Sequence, residues 1–236
     1  MFRFNLLFAA FAAALLSACQ TLPQVPYDRA SAGSIKTINV VTPAMNEESR
    51  VVLASTVGQS FGLVGALIDA GMQASREDDF QAMAKAQNFA GKAAFAKHLD
   101  SALTTSGYAV AHDDVKRAAN GDFLKAYAQP STIPAEAHLD VVLHYGYYAS
   151  GLSTPYRPFV TANVKLVRNS DSALLMQKSI FYNPLNAAPE QTVTVPPNPA
   201  YEFSDFDALK ANPEKAIKGL DEALAQVANA MGTLVK

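Results

Sequence analysis

The chain has 236 residues, half of them hydrophobic, with 19 basic and 21 acidic side chains and a formal net charge of −2. That hydrophobic share can fill a substantial core. The charge balance excludes the basic excess a nucleic-acid surface needs, so no nucleic-acid partner is expected. The single cysteine excludes an internal disulfide.

Arg3 and the free amine make a short basic start, followed by an unbroken Leu, Phe and Ala run from Leu6 to Leu16. The run fits the apolar region of a signal peptide and is too short to span a bilayer. Leu16-Ser17-Ala18-Cys19 closes it. This phrase resembles the lipobox of bacterial lipoprotein precursors. The resemblance implies that Leu16, Ser17 and Ala18 are read by the processing peptidase and that the Cys19 thiol accepts a diacylglyceryl chain. The other reading is an ordinary secretory signal with a chance cysteine. Gln20, rather than Asp, follows the cysteine, which implies an outer-membrane, periplasm-facing protein anchored by lipid. Each buried methylene contributes about 0.8 kcal/mol, and several chains make the attachment durable. The predicted organisation is a signal peptide over 1–18, a flexible tether over 19–34 and a single periplasmic α/β domain over 35–236.

Gln20 to Gly33 is polar, with Pro23 and Pro26, as suits a tether. Ile35 to Val41 is β-branched and stops at Thr42-Pro43, which predicts a strand. Arg50 to Ser55 reads as a second strand or as the lead-in to a helix. In Val57 to Ser75, Gly58, Gly62, Ala66 and Ala70 recur every four residues, flanked by Phe61, Leu63, Val64, Leu67 and Ile68. Glycine weakens an isolated helix by roughly 0.8–1 kcal/mol relative to alanine. Something must then pack closely on the small-residue face: the domain's own sheet, or a membrane or partner helix through a small-xxx-small contact. A glycine-rich loop is the third reading. No Gly-Lys-Ser/Thr ending makes it a phosphate loop.

Phe95, Leu99, Ala102 and Leu103 predict a helix over Phe89 to Ser106, capped by Gly107. Tyr108 to Ala111 reads as a short strand and Asp113 to Tyr127 as a weak helix. Leu139 to Ala149 reads as a strand buried on both faces. Phe159 to Val167 alternates apolar and polar residues, Asn169 to Ser172 is a hairpin turn, and Ala173 to Tyr182 returns. The proline-rich 183–199 segment reads as an irregular cover. Pro213 opens a last helix with the stripe Ile217, Leu220, Leu224, Val227, Met231 and Leu234. The fold class predicted is α/β (α+β): a mixed sheet with one parallel crossover and an antiparallel meander, with helices packed on it.

Several phrases resemble the family of the TolB N-terminal domain and its relatives among curli-secretion and peptidoglycan-synthase-activator lipoproteins. They are Ile38-Asn39-Val40-Val41-Thr42-Pro43, Leu103 to Tyr108, His138 to Leu143, and the hairpin of Val164 to Val167 with Leu174 to Met176. The resemblance covers about two-thirds of the mature chain and leaves out the 57–75 and 183–199 segments. It implies a non-enzymatic partner-binding module of the cell envelope.

Chemistry-bearing residues are sparse. His98, His112, His138 and His144 have no second His or Cys at ligand spacing, so neither metal nor cofactor is expected. His112-Asp113-Asp114 reads as a solvated turn or a weak hard-cation cluster. His144, beside Gly146, reads as a satisfied core histidine or a site residue. Neighbouring side chains diverge, so Glu47-Glu48 and Asp78-Asp79 are poor acid/base pairs. Tyr145, Tyr147, Tyr148 and Tyr156, with Arg157, form the densest aromatic group. Tyr and Arg are favoured binding anchors. This group reads as a core rim or, with Gly58, Gly62, Ala66 and Ala70, as an interaction surface. The expected function is a lipid-anchored, non-enzymatic scaffold or assembly/secretion accessory, partnered by an envelope protein or its own copies. The alternative is a periplasmic ligand-binding or hydrolytic protein acting on envelope glycans or lipids.

Overall fold

The computed structural model describes residues 22–33, 35–54, 62–117, 122–128, 134–151, 153–184 and 187–236, with backbone alone at Ser31 and 62–70. Leu16, Ser17, Ala18, Cys19 and Gly58 lie outside the described residues. In chain order the elements are α1 (Arg29–Ala32), β1 (Thr37–Val41), β2 (Ala44–Met45), β3 (Arg50–Leu53), α2 (Gly62–Ala86), α3 (Gly91–Thr105) and β4 (Ala109–Asp113). There follow β5 (Ala137–Ala149), β6 (Arg157–Arg168), β7 (Leu174–Tyr182), β8 (Val193–Val195), a 3-10 turn (Pro199–Tyr201), α4 (Phe206–Lys210) and α5 (Pro213–Leu234).

The sheet runs β4-β1-β5-β6-β7-β8. β1 lies parallel to both β4 and β5. β5, β6 and β7 form the antiparallel meander that the alternation of β6 predicts. This is the mixed α/β architecture expected from the sequence, with more parallel pairing than was read there. β2 and β3 continue β1 along the same edge of β5. Four steps of that chain match three of β5 between Val40 and Ala44, and five match three between Met45 and Arg50. Thr42-Pro43 and Asn46 to Ser49 are therefore looped out, which hid the continuous edge from a period-two reading. Arg50 to Leu53 is a strand; the alternative, a helix lead-in, falls.

One face of the sheet carries α3 and α5. Leu220, Leu224, Val227 and Met231 of α5 are buried, packed toward β5, β6 and β7. Phe95, Leu99, Ala102 and Leu103 of α3 are buried at their helical spacing. Gly107 ends that helix with φ +95°, a conformation that favours glycine, while the Tyr108 amide donates to Leu103 O at 3.1 Å. Tyr145 and Tyr147 of β5 project into this helical layer. Tyr145 donates to Glu47 O at 2.7 Å and Tyr147 to Ala216 O at 3.0 Å. A Cβ at Gly91 would collide with the Tyr145 ring, and one at Gly219 with the Tyr147 hydroxyl. The glycines thus form notches that let two helices close over two tyrosines.

Three sequence expectations need correction. Residues 22–33, read as a flexible tether, pack on the body: Val25 bridges Gln177 in antiparallel fashion, and Ala32 is buried. No helix forms among the described residues of 113–127, because the backbone and side chains there serve the polar face of the sheet described below. The proline-rich segment is not wholly irregular, since Val193–Val195 adds a parallel edge strand beside Ile180 to Tyr182. Proline is tolerated on such an edge, where one row of N–H groups has no ladder partner.

The Gly91–Tyr145 notch makes a double-mutant cycle informative. Gly91→Ala, at the first position of α3, overfills the notch at a cost of roughly 1–3 kcal/mol. Tyr145→Phe loses a hydrogen bond worth roughly 0.5–1.5 kcal/mol. Urea midpoints at unchanged m should show the double variant less destabilised than the sum of the singles, by about 0.5 kcal/mol or more. Strict additivity would refute the notch.

Candidate functional site

The sheet's other face is polar. β5 alternates, so His138, Asp140, Val142, His144 and Tyr148 point away from the helices. Across the register, Asp140 faces Lys165, Val142 faces Asn163 and His144 faces Thr161. Asp140 is fully buried, and a carboxylate there must be satisfied by donors. Arg117 and the segment 122–128 supply them. Arg117 pairs with one carboxylate oxygen, and its side chain is only 9% exposed. The Leu124 amide and the Tyr127 hydroxyl donate to the other oxygen at 2.7 and 3.0 Å. Arg117 also donates to Thr42 O and, at 3.1 Å, to Asp122 O.

Lys165 completes the cluster. Its Nζ donates to Leu124 O at 3.4 Å and stands 4.9 Å from the Phe123 ring centroid and 5.3 Å from that of Tyr127. Burial lowers its pKa below the ordinary lysine value, against the opposing pull of Asp140. Burial, reinforced by the negative charge of Asp140, raises the pKa of Tyr127. The Tyr127 ring stacks on His138 at 5.2 Å, and the Asn39 amide lies 3.1 Å from His138 Nδ1. Asn39 Oδ1 and His138 Nε2 are buried without a hydrogen-bond partner. Further along the face, Asn163 accepts from Ser179, and Gln24 of the N-terminal segment contacts the Ser179 amide and hydroxyl.

The residues singled out from the sequence are dispersed. Tyr145, Tyr147 and Tyr156 are 2%, 0% and 4% exposed, so they cannot act as surface anchors as they stand. Burial raises the pKa of both Tyr145 and Tyr147. Tyr148 is half-buried and lies opposite the exposed Arg157 across the β5–β6 ladder. Arg157 pairs with Glu202 at 2.9 Å. Gly62, Ala66 and Ala70 lie in α2. His144 is exposed, which overturns its reading as a core histidine; His138 holds that position. His112 pairs with Asp100 at 3.1 Å, and Asp114 accepts from Thr42 at 3.1 Å, so the His112-Asp113-Asp114 run is spent on separate contacts. His98 pairs with Asp221 at 2.8 Å, joining α3 to α5. No group of metal-ligating side chains converges among the described residues.

Sequence reading missed the Asp140 hub. The one available signal was a charged residue inside an otherwise apolar run, Leu139-Asp140-Val141-Val142-Leu143. A charge there demands a partner. Asp140→Ala should strand Arg117 and cost about 3–5 kcal/mol, as breaking a buried ion pair does. Denaturant titration reads the loss, and amide exchange should accelerate in 122–128 ahead of α5. Unchanged exchange in that segment would refute the clamp.

No family model matches the chain, and no curated protein matches it. Among solved structures, a Xanthomonas campestris protein of the DUF330 family, XCC0632, is similar at 12% identity and a TM-score of 0.43, over 91% of this chain and 92% of that one. A neuraminyllactose-binding hemagglutinin homolog from Helicobacter pylori is similar at 11% identity and a TM-score of 0.33, over 92% of this chain and 91% of that one. Neither likeness carries a function across.

Proposed function

We propose that the chain is a lipid-anchored envelope lipoprotein that acts, without catalysis, as a scaffold or assembly accessory through protein contacts. One observation carries the reading: the only cysteine stands at the end of Leu16-Ser17-Ala18-Cys19, directly after an apolar run of signal-peptide length. The phrase supports the periplasmic face of the outer membrane as the site of action. Two partner classes follow from it, the bilayer through the lipid and an envelope protein or a second copy through the body.

The polar face does not favour a hydrolytic alternative. Asp140 is fully buried and both its oxygens are committed to Arg117, Leu124 and Tyr127, so it has no open oxygen to present to a substrate.

In a bacterial host, Cys19→Ser should abolish incorporation of labelled palmitate and move the protein out of the membrane fraction. Retained label would overturn the anchor. In-cell crosslinking of the unaltered chain should capture a discrete protein partner or an oligomer. A chain that stays monomeric and unpartnered at native abundance would overturn the scaffold role.

A further inference from the structure

The loop between β2 and β3 and the second half of α2 enclose a depression of about 510 Å³. The loop exists because five steps of the edge chain match three of β5 between Met45 and Arg50. Two hydrogen bonds pin its backbone. Tyr145 donates to Glu47 O at 2.7 Å, and Gln81 of α2 donates to Ser49 O. A loop held in this way loses little freedom when something binds it.

Two acidic pairs meet here, Glu47-Glu48 from the loop and Glu77-Asp78 from α2. Neighbouring side chains diverge within each pair, yet the fold brings one pair beside the other. Lys92 engages Glu47 at 3.0 Å, and Arg50 engages Glu77 at 3.6 Å. Glu48 and Asp78 are exposed and have no ion pair among the described residues. Ser49 lines the same depression. It is 3% exposed, so it belongs to the floor and not the rim, and its hydroxyl has no hydrogen-bond partner among the described residues. A buried hydroxyl in that state costs stability until a partner reaches it. The carboxylates do not converge as the ligands of one metal ion among the described residues. A larger cation with several N–H donors answers both the two open charges and the open hydroxyl.

We propose that this depression binds an arginine side chain of a protein partner, with Glu48 and Asp78 taking its charge and Ser49 Oγ accepting one of its N–H groups. The proposal rests on the scaffold reading and deepens it by giving the partner's contact residue a chemistry. Guanidinium is weakly hydrated and carries five donors in a plane that matches carboxylates, whereas lysine offers a strongly hydrated point charge. Arginine is also a favoured anchor at protein interfaces. The two open acids stand in water, so binding should weaken as salt shortens the screening length to about 10 Å at 0.1 M.

The lipidated full-length chain in detergent is titrated into a fluorescein-labelled peptide of alternating glycine and arginine, and anisotropy at low salt reads binding. The peptide should bind. Its citrulline twin, which keeps the shape and loses the charge, should not. Glu48→Gln with Asp78→Asn should weaken binding about tenfold or more. Glu190→Gln with Glu214→Gln removes the same charge at two other exposed positions and should leave binding unchanged. Ser49→Ala should keep the urea midpoint and weaken binding about threefold. Equal losses from the two charge pairs, or an unaffected Ser49→Ala, would overturn the site. Spermidine that binds at Glu48 and Asp78 where the peptide does not would make the occupant a free polyamine and overturn the protein partner. In cells, crosslinks to a partner that persist unchanged in the Glu48→Gln, Asp78→Asn variant would overturn this site and leave the scaffold role standing. A chain with no crosslinked partner would overturn both.

Discussion

Strand β5 has both edges occupied, and this double pairing sets the rest of the structure. On one side β6 matches it from Ala137 to Tyr148 without interruption. On the other, β1, β2 and β3 take the edge in turn. A strand so enclosed has no free ladder to template aggregation. Its side chains are also committed to two faces of different chemistry. Leu139, Val141, Leu143, Tyr145 and Tyr147 enter the helical layer, while His138 and Asp140 enter the polar one. A one-residue slip would drive Asp140 into the helices and the tyrosines into the polar cluster, so register is strongly specified.

The polar layer explains why an irregular segment stays in place. The segment around Phe123 to Tyr127 has no regular structure to satisfy its backbone, and its anchor is a buried charge instead. Burying Asp140 and Arg117 together costs desolvation that their attraction only partly offsets, so the pair contributes little net stability. What it contributes is uniqueness of arrangement. Any displacement of the segment leaves a buried charge without its partner, and Lys165 beneath the Phe123 and Tyr127 rings adds a second such constraint.

The readable parts of this fold are those whose signal is local. The stripe of α5, the spacing in α3, the alternation of β6 and the hairpin at Asn169 to Ser172 each lie within one element, and each appears as expected. What escaped depends on partners far apart in the chain. Tyr145 and Tyr147 look like surface anchors until their hydroxyls meet Glu47 O and Ala216 O, 98 and 69 residues away. With those partners, tyrosine buries its ring at little polar cost. His138 and His144 differ only in what covers them: Tyr127 stacks on the first, and the second stays open. Composition around either residue carries no trace of that difference. The polar 22–33 segment has a tether's composition, and its pairing with β7 becomes visible only once β7 is seen to need an edge partner at Gln177.

That last pairing bears on the proposed anchor. A free linker over 19–34 would have a root-mean-square reach of roughly 20–24 Å, letting the body wander over the membrane. Pairing of Val25 with Gln177, reinforced by Gln24 on Ser179 and by Gln177 donating to Pro23 O at 3.0 Å, removes most of that slack. On the proposed anchoring, Pro23 to Val25 would tie the body to its lipid through the β7 edge instead of through a free linker. A contact made by the body after such an anchor inserts would gain from the raised local concentration, and more so with a short tether than with a long one.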